Sequence, residues 1–312
     1  MSLASNVRKL VPKAIKNIMR NGLRFYKLSA LLSPYIPNTI CIDVGASYYP
    51  HEKWYIFLNS PKTYWVAVEP NKENIEYTKK WRWPSKVSVC LSGLSKDGGS
   101  QTLYITNVDS GSSLLQPIIG DSLKHRGIDL DYFFPIKESN IDTITLKDVI
   151  PSHANGYPIF VKLDTQGTEL SILKGSESLF SDQKILGIEM ESTMLAQPIM
   201  SGSGKFWQAC EYLESKGFEL LHVKPIYSPL NKKQFLGQIN TFLTECDAVF
   251  ALRWDIVSKM PIEYRASLLA FYITNFLYLE AKAVLVDDKN LIDFLKNRGC
   301  NVNDLQNNLT CK

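Results

Sequence analysis

Acidic or small polar residues follow four consecutive apolar segments of this 312-residue sequence. A single carboxylate in such a position commonly caps a helix, but capping does not readily account for a set on successive segments. The residues concerned are Asp43, Gly45, Ala46 and Ser47 after the first segment, Glu69 and Pro70 after the second, Ser92 and Gly93 after the third, and Asp164 after the fourth. If the segments are parallel strands, their carboxyl ends meet at one edge of a sheet, where ligands bind.

The fourth segment is the most informative, with the sequence FVKLDTQGTELSILKG over residues 160–175. We expect Asp164 to lie where the reaction takes place and Gly167 to let the chain turn sharply into the next helix. Glu169 falls in the predicted first turn of that helix, where a carboxylate caps the helix or matches its dipole at a value of at most about 1 kcal/mol. We therefore interpret Glu169 as structural.

Glu69 indicates the class of ligand. An acidic residue at the end of the second strand of a βαβ unit can accept hydrogen bonds from both hydroxyls of an adenosine ribose. Its distance from Asp43 is slightly longer than the about 20 residues usual for this role. Dinucleotides and S-adenosylmethionine both fit, but the first turn, residues 45–50, has one glycine where a pyrophosphate needs G-x-G-x-x-G. The sequence therefore favours S-adenosylmethionine, whose sulfonium cation attracts carboxylates.

Predicted strands alternate through the chain with predicted helices of about 10–15 residues, which is typical of βαβ units. We predict an α/β fold with a doubly wound, mostly parallel sheet and an added hairpin strand at 99–106. A short capped helix is expected at 143–150, and an irregular region at 107–140. The main predicted strands are 39–47, 63–70, 86–94, 158–164, 184–191, 219–225 and 247–253, and the main predicted helices are 51–58, 71–81, 168–180 and 204–218.

Three segments are predicted: a basic amphipathic helical segment at 1–36, a ligand-binding domain at 37–253 and a helical extension at 254–312. Residues 1–35 hold seven Lys or Arg and no acid, so the remainder holds 35 − 7 = 28 basic against 31 acidic residues. That slightly acidic body argues against a nucleic-acid surface. The helix at 4–32 has three interpretations: docking on the main domain, peripheral membrane contact, or an organellar transit peptide.

The six cysteines include no CxxC pair, so neither a zinc ribbon nor a thioredoxin-type site is indicated. Three of them fall in apolar strand-like runs, where cysteine is a small core residue. A reducing, cytoplasmic compartment fits this usage. No apolar run approaches the roughly 18 residues of a membrane span, and the N-terminus lacks the apolar core of a secretory signal.

Several motifs in order, IDVGAS, VAVEPNKENIEY, LSGLSKDGGSQTLYIT, GSSLL, IDTITLKDVI, FVKLDTQGTELSILKG and ILGIEME, resemble FkbM-type methyltransferases over about residues 38–252. The resemblance implies a Rossmann-like, seven-stranded, S-adenosylmethionine-dependent enzyme, mostly methylating oxygen atoms of natural products and sugars. It also implies positions for the cofactor. Asp43, Gly45, Ala46 and Ser47 line or adjoin its methionine end, Glu69 and Pro70 its ribose, Ser92 and Gly93 its adenine, and Asp164 the reaction edge. Where the family usually has a second glycine, this chain has Tyr48 and Tyr49.

Methyl transfer to oxygen requires that the acceptor's proton be removed or weakened. Asp164 or a nearby histidine can act as a base, or a divalent ion held by Asp164 and Glu191 can acidify the hydroxyl. Glu189 shares a strand face with Glu191 and is an alternative. The four histidines, at positions 51, 125, 153 and 222, are weaker candidates.

The acceptor is expected to be a small molecule or glycan bound by residues 107–140, where Tyr132, Phe133 and Phe134 either stack on a ring or pin the loop. A saccharide, a lipid-linked glycan and a polyketide-like hydroxyl are all compatible. A non-catalytic binding module and an NAD-dependent enzyme are the alternative functions.

Overall fold

The computed structural model describes residues 13–78, 80–120, 123, 128–227 and 242–310. Within these residues the strands are β1 (Thr39–Val44), β2 (Thr63–Val68), β3 (Lys86–Cys90), β4 (Gly93–Leu94), β5 (Gly99–Thr106), β6 (Pro135–Ile144), β7 (Ile159–Leu163), β8 (Ile185–Thr193), β9 (Phe218–Tyr227) and β10 (Leu243–Leu252). The helices are α1 (Lys13–Leu32), α2 (Tyr55–Leu58), α3 (Lys72–Thr78), α4 (Glu169–Lys174), α5 (Glu177–Ser181), α6 (Phe206–Ser215), α7 (Trp254–Val257), α8 (Ile262–Thr274), α9 (Tyr278–Asp287), α10 (Lys289–Asn297) and α11 (Val302–Leu309).

Seven strands form the main sheet, in the order β3-β2-β1-β7-β8-β10-β9. The first five of these run parallel, and β10 runs antiparallel to both β8 and β9. Every residue of β1 is buried, as expected for a central parallel strand that is covered on both faces. The order reverses between β1 and β7, so ligands are expected beyond the carboxyl ends of these strands. The predicted mostly parallel seven-stranded sheet is confirmed.

A second sheet of three strands, in the order β4-β6-β5, projects from the chain between β3 and β7. It confirms the hairpin strand at 99–106 but shows that the helix predicted at 143–150 is wrong. Thr143 pairs with Gly99 of β5 and Ile144 with Leu94 of β4, and the following residues form a turn. Thr145 donates to Asp148 Oδ2 through its backbone N at 2.9 Å and its hydroxyl at 2.7 Å, so the capping pair closes this turn instead of starting a helix. The irregular region predicted at 107–140 is wrong for residues 135–140, which form the first six residues of β6.

Other boundaries also differ from the sequence prediction. The strand predicted at 86–94 is divided into β3 of the main sheet and β4 of the second sheet. The helix predicted at 168–180 is divided into α4 and α5 at Gly175, where a Cβ atom would lie 2.2 Å from the backbone oxygen of Lys96. The close approach of a distant loop explains the break, and the helical pattern alone does not show it. Strand β8 continues past Glu191 to Thr193, so Glu191 does not end its strand.

One hydrophobic core includes residues of all three predicted segments. Phe271 of α8 stacks on Phe160 of β7, with ring centroids 4.8 Å apart. Leu28 and Leu32 of α1 are fully buried, which confirms docking for this part of the predicted basic helix. Residues 4–12 of that helix lie outside the described residues. Of the helices in the described ranges, none has both the length and the apolar character needed to span a membrane.

Candidate active site

A cleft of about 110 Å³, partly open to solvent, lies at the carboxyl ends of β1, β2 and β7. Seven of the predicted site residues line it: Gly45, Ser47, Glu69, Pro70, Ser92, Gly93 and Asp164. Asp43 and Ala46 are buried beside the cleft and do not line it. The structure thus brings most of the predicted set together, although their individual roles stay predictions.

Gly45 makes the junction between β1 and β7 possible. Its φ is +77°, and a Cβ atom at this position would lie 1.9 Å from the backbone oxygen of Asp164. Only glycine combines this backbone conformation with so close an approach. The cleft floor therefore depends on Gly45, while Ser47 Oγ is a buried oxygen of the floor with no hydrogen-bond partner among the described residues.

Tyr48 and Tyr49 stand beside the cleft, not in it. The backbone oxygen of Tyr48 accepts a hydrogen bond from Trp81 Nε1 at 2.9 Å, and the ring of Tyr49 stacks on Trp81. These contacts place the two tyrosines against Trp81, and their interpretation as a cover for the start of the following helix stays a prediction.

Glu69 is only 6% exposed and belongs to a polar network at one end of the cleft. Its Oε1 accepts from the backbone N of Asn71 at 2.8 Å. The side-chain amides of Asn71 and Asn74 donate to Asp109, at 2.8 and 2.5 Å. Burial raises the pKa of Glu69 to about 7, the hydrogen bond from Asn71 lowers it, and the charge of Asp109 adds to the rise. The free protein therefore keeps a partly protonated carboxyl here at neutral pH.

Asp164 stands at the other end of the cleft, with its side chain 43% exposed. Gln166 Nε2 lies 3.4 Å from Asp164 Oδ1 and 2.5 Å from Glu191 Oε2, so one amide stands between the two predicted catalytic carboxyls. Burial raises the pKa of Glu191 well above its ordinary value, and the charge of Asp164 raises it further. Gln166 has a φ of +56°, which is unusual for a residue with a side chain.

Beyond Gln166 lies a smaller cavity, lined by Glu191 and Glu245 among others. Burial raises the pKa of Glu245 to about 7. Within the described part of the chain, no group of three or more His, Cys, Asp or Glu residues is arranged to hold a metal ion. The predicted pair of metal ligands, Asp164 and Glu191, is separated by the Gln166 amide.

Glu169 is buried and holds the turn that precedes its helix. Its carboxylate accepts from the backbone N of Thr165 at 2.8 Å, the hydroxyl of Thr165 at 2.9 Å and the backbone N of Gly167 at 3.0 Å. The structural role predicted for Glu169 is confirmed. The expected cost of losing it, at most about 1 kcal/mol, is too small, because a buried acceptor of several bonds is worth more than an exposed helix-end charge.

A row of charged side chains crosses the sheet beneath the cleft. Asp43, Lys162 and Glu189 are cross-strand neighbours on β1, β7 and β8. Lys162 Nζ lies 3.4 Å from Asp43 and 3.3 Å from Asp164, and Lys53 pairs with Glu189. Burial alone would lower the pKa of Lys162, but the neighbouring acids outweigh it and raise this pKa. Asp43 thus faces a lysine under the cleft, and a direct cofactor contact for it stays a prediction.

The described histidines and the loop aromatics Tyr132, Phe133 and Phe134 do not line the cleft. His51 Nδ1 caps a short turn by accepting from the backbone N of Lys53 at 3.2 Å. His153 packs on Tyr64, His222 lies in β9, and His125 is outside the described residues. The hydroxyl of Tyr132 bonds to Ser110 Oγ at 2.5 Å, so at least this aromatic residue pins the loop.

Sequence reasoning missed several polar residues that line the cleft, among them Asn71, Asn74, Asp109, Ser113 and Gln166. Asn71 follows Glu69 by two positions, and Gln166 follows Asp164 by two positions. A polar side chain in the turn after each strand end could therefore have been predicted to line the cleft. Asp109 and Ser113 come from the added sheet, and no local pattern indicates that this sheet reaches the cleft.

Residues 43–220 match the family model described as Methyltransferase FkbM domain. A search of curated proteins found no match. Solved structures similar to this chain include a Listeria monocytogenes protein assigned as an S-adenosylmethionine-dependent methyltransferase, with 8% identity, coverage of 74% of this chain and 98% of that chain, and a TM-score of 0.37. The plantazolicin methyltransferase BpumL in complex with SAH has 12% identity, coverage of 76% and 87%, and a TM-score of 0.33. An rRNA methylase from Streptococcus thermophilus has 9% identity, coverage of 73% and 95%, and a TM-score of 0.32.

Proposed function

Because the chain belongs to the FkbM methyltransferase family and is an S-adenosylmethionine-dependent methyltransferase, we propose that it methylates a hydroxyl group of a saccharide, a glycan or a secondary metabolite. The acceptor is a small molecule or glycan and not a nucleic acid, in line with the slightly acidic body of the chain. The proposed cofactor residues are those that line the cleft, with Glu69 on the ribose and Asp164 at the reaction edge.

The charge of the cleft is the observation that carries this proposal. Its lining includes the carboxyls of Glu69, Asp109 and Asp164, and none of the described lining residues is Lys, Arg or His. Such a surface suits a ligand with a sulfonium cation, an ammonium group and a diol, and it disfavours a pyrophosphate. The residues present therefore fit S-adenosylmethionine better than a dinucleotide.

S-adenosylmethionine supplies an electrophilic methyl group on sulfur when it is bound. Asp164, half-exposed at the cleft edge and fixed by Lys162, would orient the acceptor hydroxyl and take its proton. The carbon–oxygen bond would form as the carbon–sulfur bond breaks, with S-adenosylhomocysteine as the leaving group. Glu191 acts with Asp164 through the Gln166 amide that both contact. We favour this base route over a metal route because the geometry joins the two carboxyls by an amide.

The proposal is tested first by calorimetry with S-adenosylmethionine, S-adenosylhomocysteine (SAH) and NAD. We expect micromolar or tighter binding of the first two and no comparable binding of NAD. Purified protein with methyl-labelled S-adenosylmethionine is then incubated with small-molecule extracts of its host, with Asp164→Asn as the matched inactive control. Label that appears in an alkali-stable ether product supports transfer to a hydroxyl. Tighter binding of NAD overturns the cofactor assignment, and SAH binding without transfer in any extract favours a non-catalytic binding module.

A further inference from the structure

Asp109 is a carboxylate that the main sheet does not provide. It begins a short helical turn, residues 109–111, directly after β5 of the added sheet. Asn71 donates to its Oδ1 at 2.8 Å and Asn74 to its Oδ2 at 2.5 Å, across 38 and 35 positions of sequence. Both oxygens are thus held in place, and the side chain lines the cofactor cleft.

The same two asparagines also lie beside Glu69. The backbone N of Asn71 donates to Glu69 Oε1 at 2.8 Å, and the Asn74 side chain lies close enough to lower the pKa of the same carboxyl. The two carboxyls therefore share Asn71 as a hydrogen-bond donor and both line the cleft. Their mutual repulsion shows in the pKa of Glu69, which burial and then the Asp109 charge raise. Two acids kept side by side in a cleft are stabilised when a ligand brings hydrogen-bond donors to both.

Asp109 has acceptor capacity left for a ligand. A carboxylate offers about four lone-pair positions, and the two asparagine amides occupy two of them. The segment that carries Asp109 is also fixed at its other end, because Ser113 Oγ donates to the backbone oxygen of Gln166 at 2.9 Å. Residues 109–113 thus bridge the Glu69 end and the Gln166 end of the cleft, which presents Asp109 in a defined position.

We propose that Asp109 is a second ribose-binding residue, so that Glu69 and Asp109 each accept a hydrogen bond from one hydroxyl of the cofactor's vicinal diol. The inference rests on the proposed function, which supplies the ligand. Adjacent hydroxyls are the donors of adenosine whose spacing suits two carboxyls that share one asparagine as a hydrogen-bond donor. The exocyclic amine of the adenine lies at the far end of the nucleoside.

The test compares native protein and Asp109→Asn by calorimetry with SAH, its 2′-deoxy and 3′-deoxy analogues, and its inosine analogue, which lacks the exocyclic amine. Asp109→Asn should weaken SAH binding about tenfold or more. That loss should shrink to under about threefold against one of the two deoxy analogues and persist in full against the inosine analogue. Asp97→Asn, an exposed acid of the same added sheet outside the cleft, is the matched control and should bind SAH like the native protein.

The outcomes separate this inference from the function on which it rests. Failure of the native protein to bind SAH overturns both. Native binding with undiminished affinity in Asp109→Asn overturns the inference alone. A loss that vanishes only against the inosine analogue shows that Asp109 contacts the adenine amine, which refutes the ribose assignment. If Asp109→Asn does not give a cooperative melting transition, Asp109→Ala is measured in the same way, since it brings no new donor against the asparagine amides.

Discussion

Replacing Glu69 by Gln should stabilise the free protein while it weakens cofactor binding. The carboxyl of Glu69 is buried, and its pKa is raised from 4.5 to about 7, chiefly by burial. The folded state thus binds this proton more tightly than the unfolded state does. Stability contributed by the protonated form is therefore lost as the pH rises from about 4.5 through about 7.

The magnitude follows from these two values. At about pH 8 the charged carboxyl destabilises the fold by about 3 kcal/mol relative to an unperturbed glutamate, and at about pH 5 by less than about 1 kcal/mol. Gln retains an oxygen for the backbone N of Asn71 but brings an amide group near Asn74. We therefore expect a net gain of about 1–3 kcal/mol at about pH 8, or about 2–5 °C in Tm for a chain of this length.

The assay is thermal unfolding of native protein, Glu69→Gln and the exposed control Glu138→Gln at about pH 5 and pH 8, with and without SAH. Without SAH, Glu69→Gln should melt higher than native protein at pH 8 and nearly equally at pH 5. With saturating SAH the order should reverse, because Gln accepts the ribose hydroxyls less well than a carboxylate. A lower Tm of Glu69→Gln at pH 8 without ligand, or an equal SAH shift, would refute the reasoning.

Three other predictions concern the rest of the site and the core. Asp164→Asn should lose most methyl transfer to the acceptor found in the extract screen but keep the Tm and the SAH affinity of the native protein. Full turnover of this variant would remove Asp164 from the reaction. By contrast, Glu169→Gln should lower the free energy of unfolding in denaturant by about 2 kcal/mol or more. Gly45→Ala, which forces a contact at 1.9 Å with the Asp164 backbone, should lower the Tm and abolish SAH binding, and native behaviour would contradict the geometry. Leu28→Ala should cost about 2–5 kcal/mol in urea unfolding, with SAH affinity of the folded fraction unchanged, and no loss of stability would place α1 off the core.

The strand ends could be predicted because their signal is local. An apolar run that stops at an acid and a glycine marks the carboxyl end of a buried strand, and this located Gly45, Glu69 and Asp164 in one cleft. The same pattern cannot tell a residue in the cleft from one beneath it. Asp43 ends its strand in the same way, yet the register of β1 and β7 turns it toward Lys162.

The contacts that were missed depend on distant parts of the chain. Asp109 reaches Asn74 only because the added sheet folds over the carboxyl ends of the main sheet. The break between α4 and α5 depends on the approach of Lys96 to Gly175. The error at 143–150 has a similar origin. Pairing with β5 and β4 makes Thr143 and Ile144 part of a strand, and a capping pair is compatible with both a turn and a helix.

The packing of α1 has a consequence for the order in which the protein is made. Arg24 of α1 donates to the backbone oxygen of Asn308 at 2.5 Å, across 284 positions, and Cys300 Sγ lies 3.5 Å from the backbone oxygen of Leu31. Helix α1 leaves the ribosome before the sheet, but α8 and α11, which cover it, follow the sheet. During translation the apolar face of α1 is not covered by α8 and α11 until these helices are synthesised, more than 200 residues later. A nascent chain arrested before α8 should therefore present this basic, amphipathic helix to chaperones or to anionic membrane surfaces for as long as the arrest lasts.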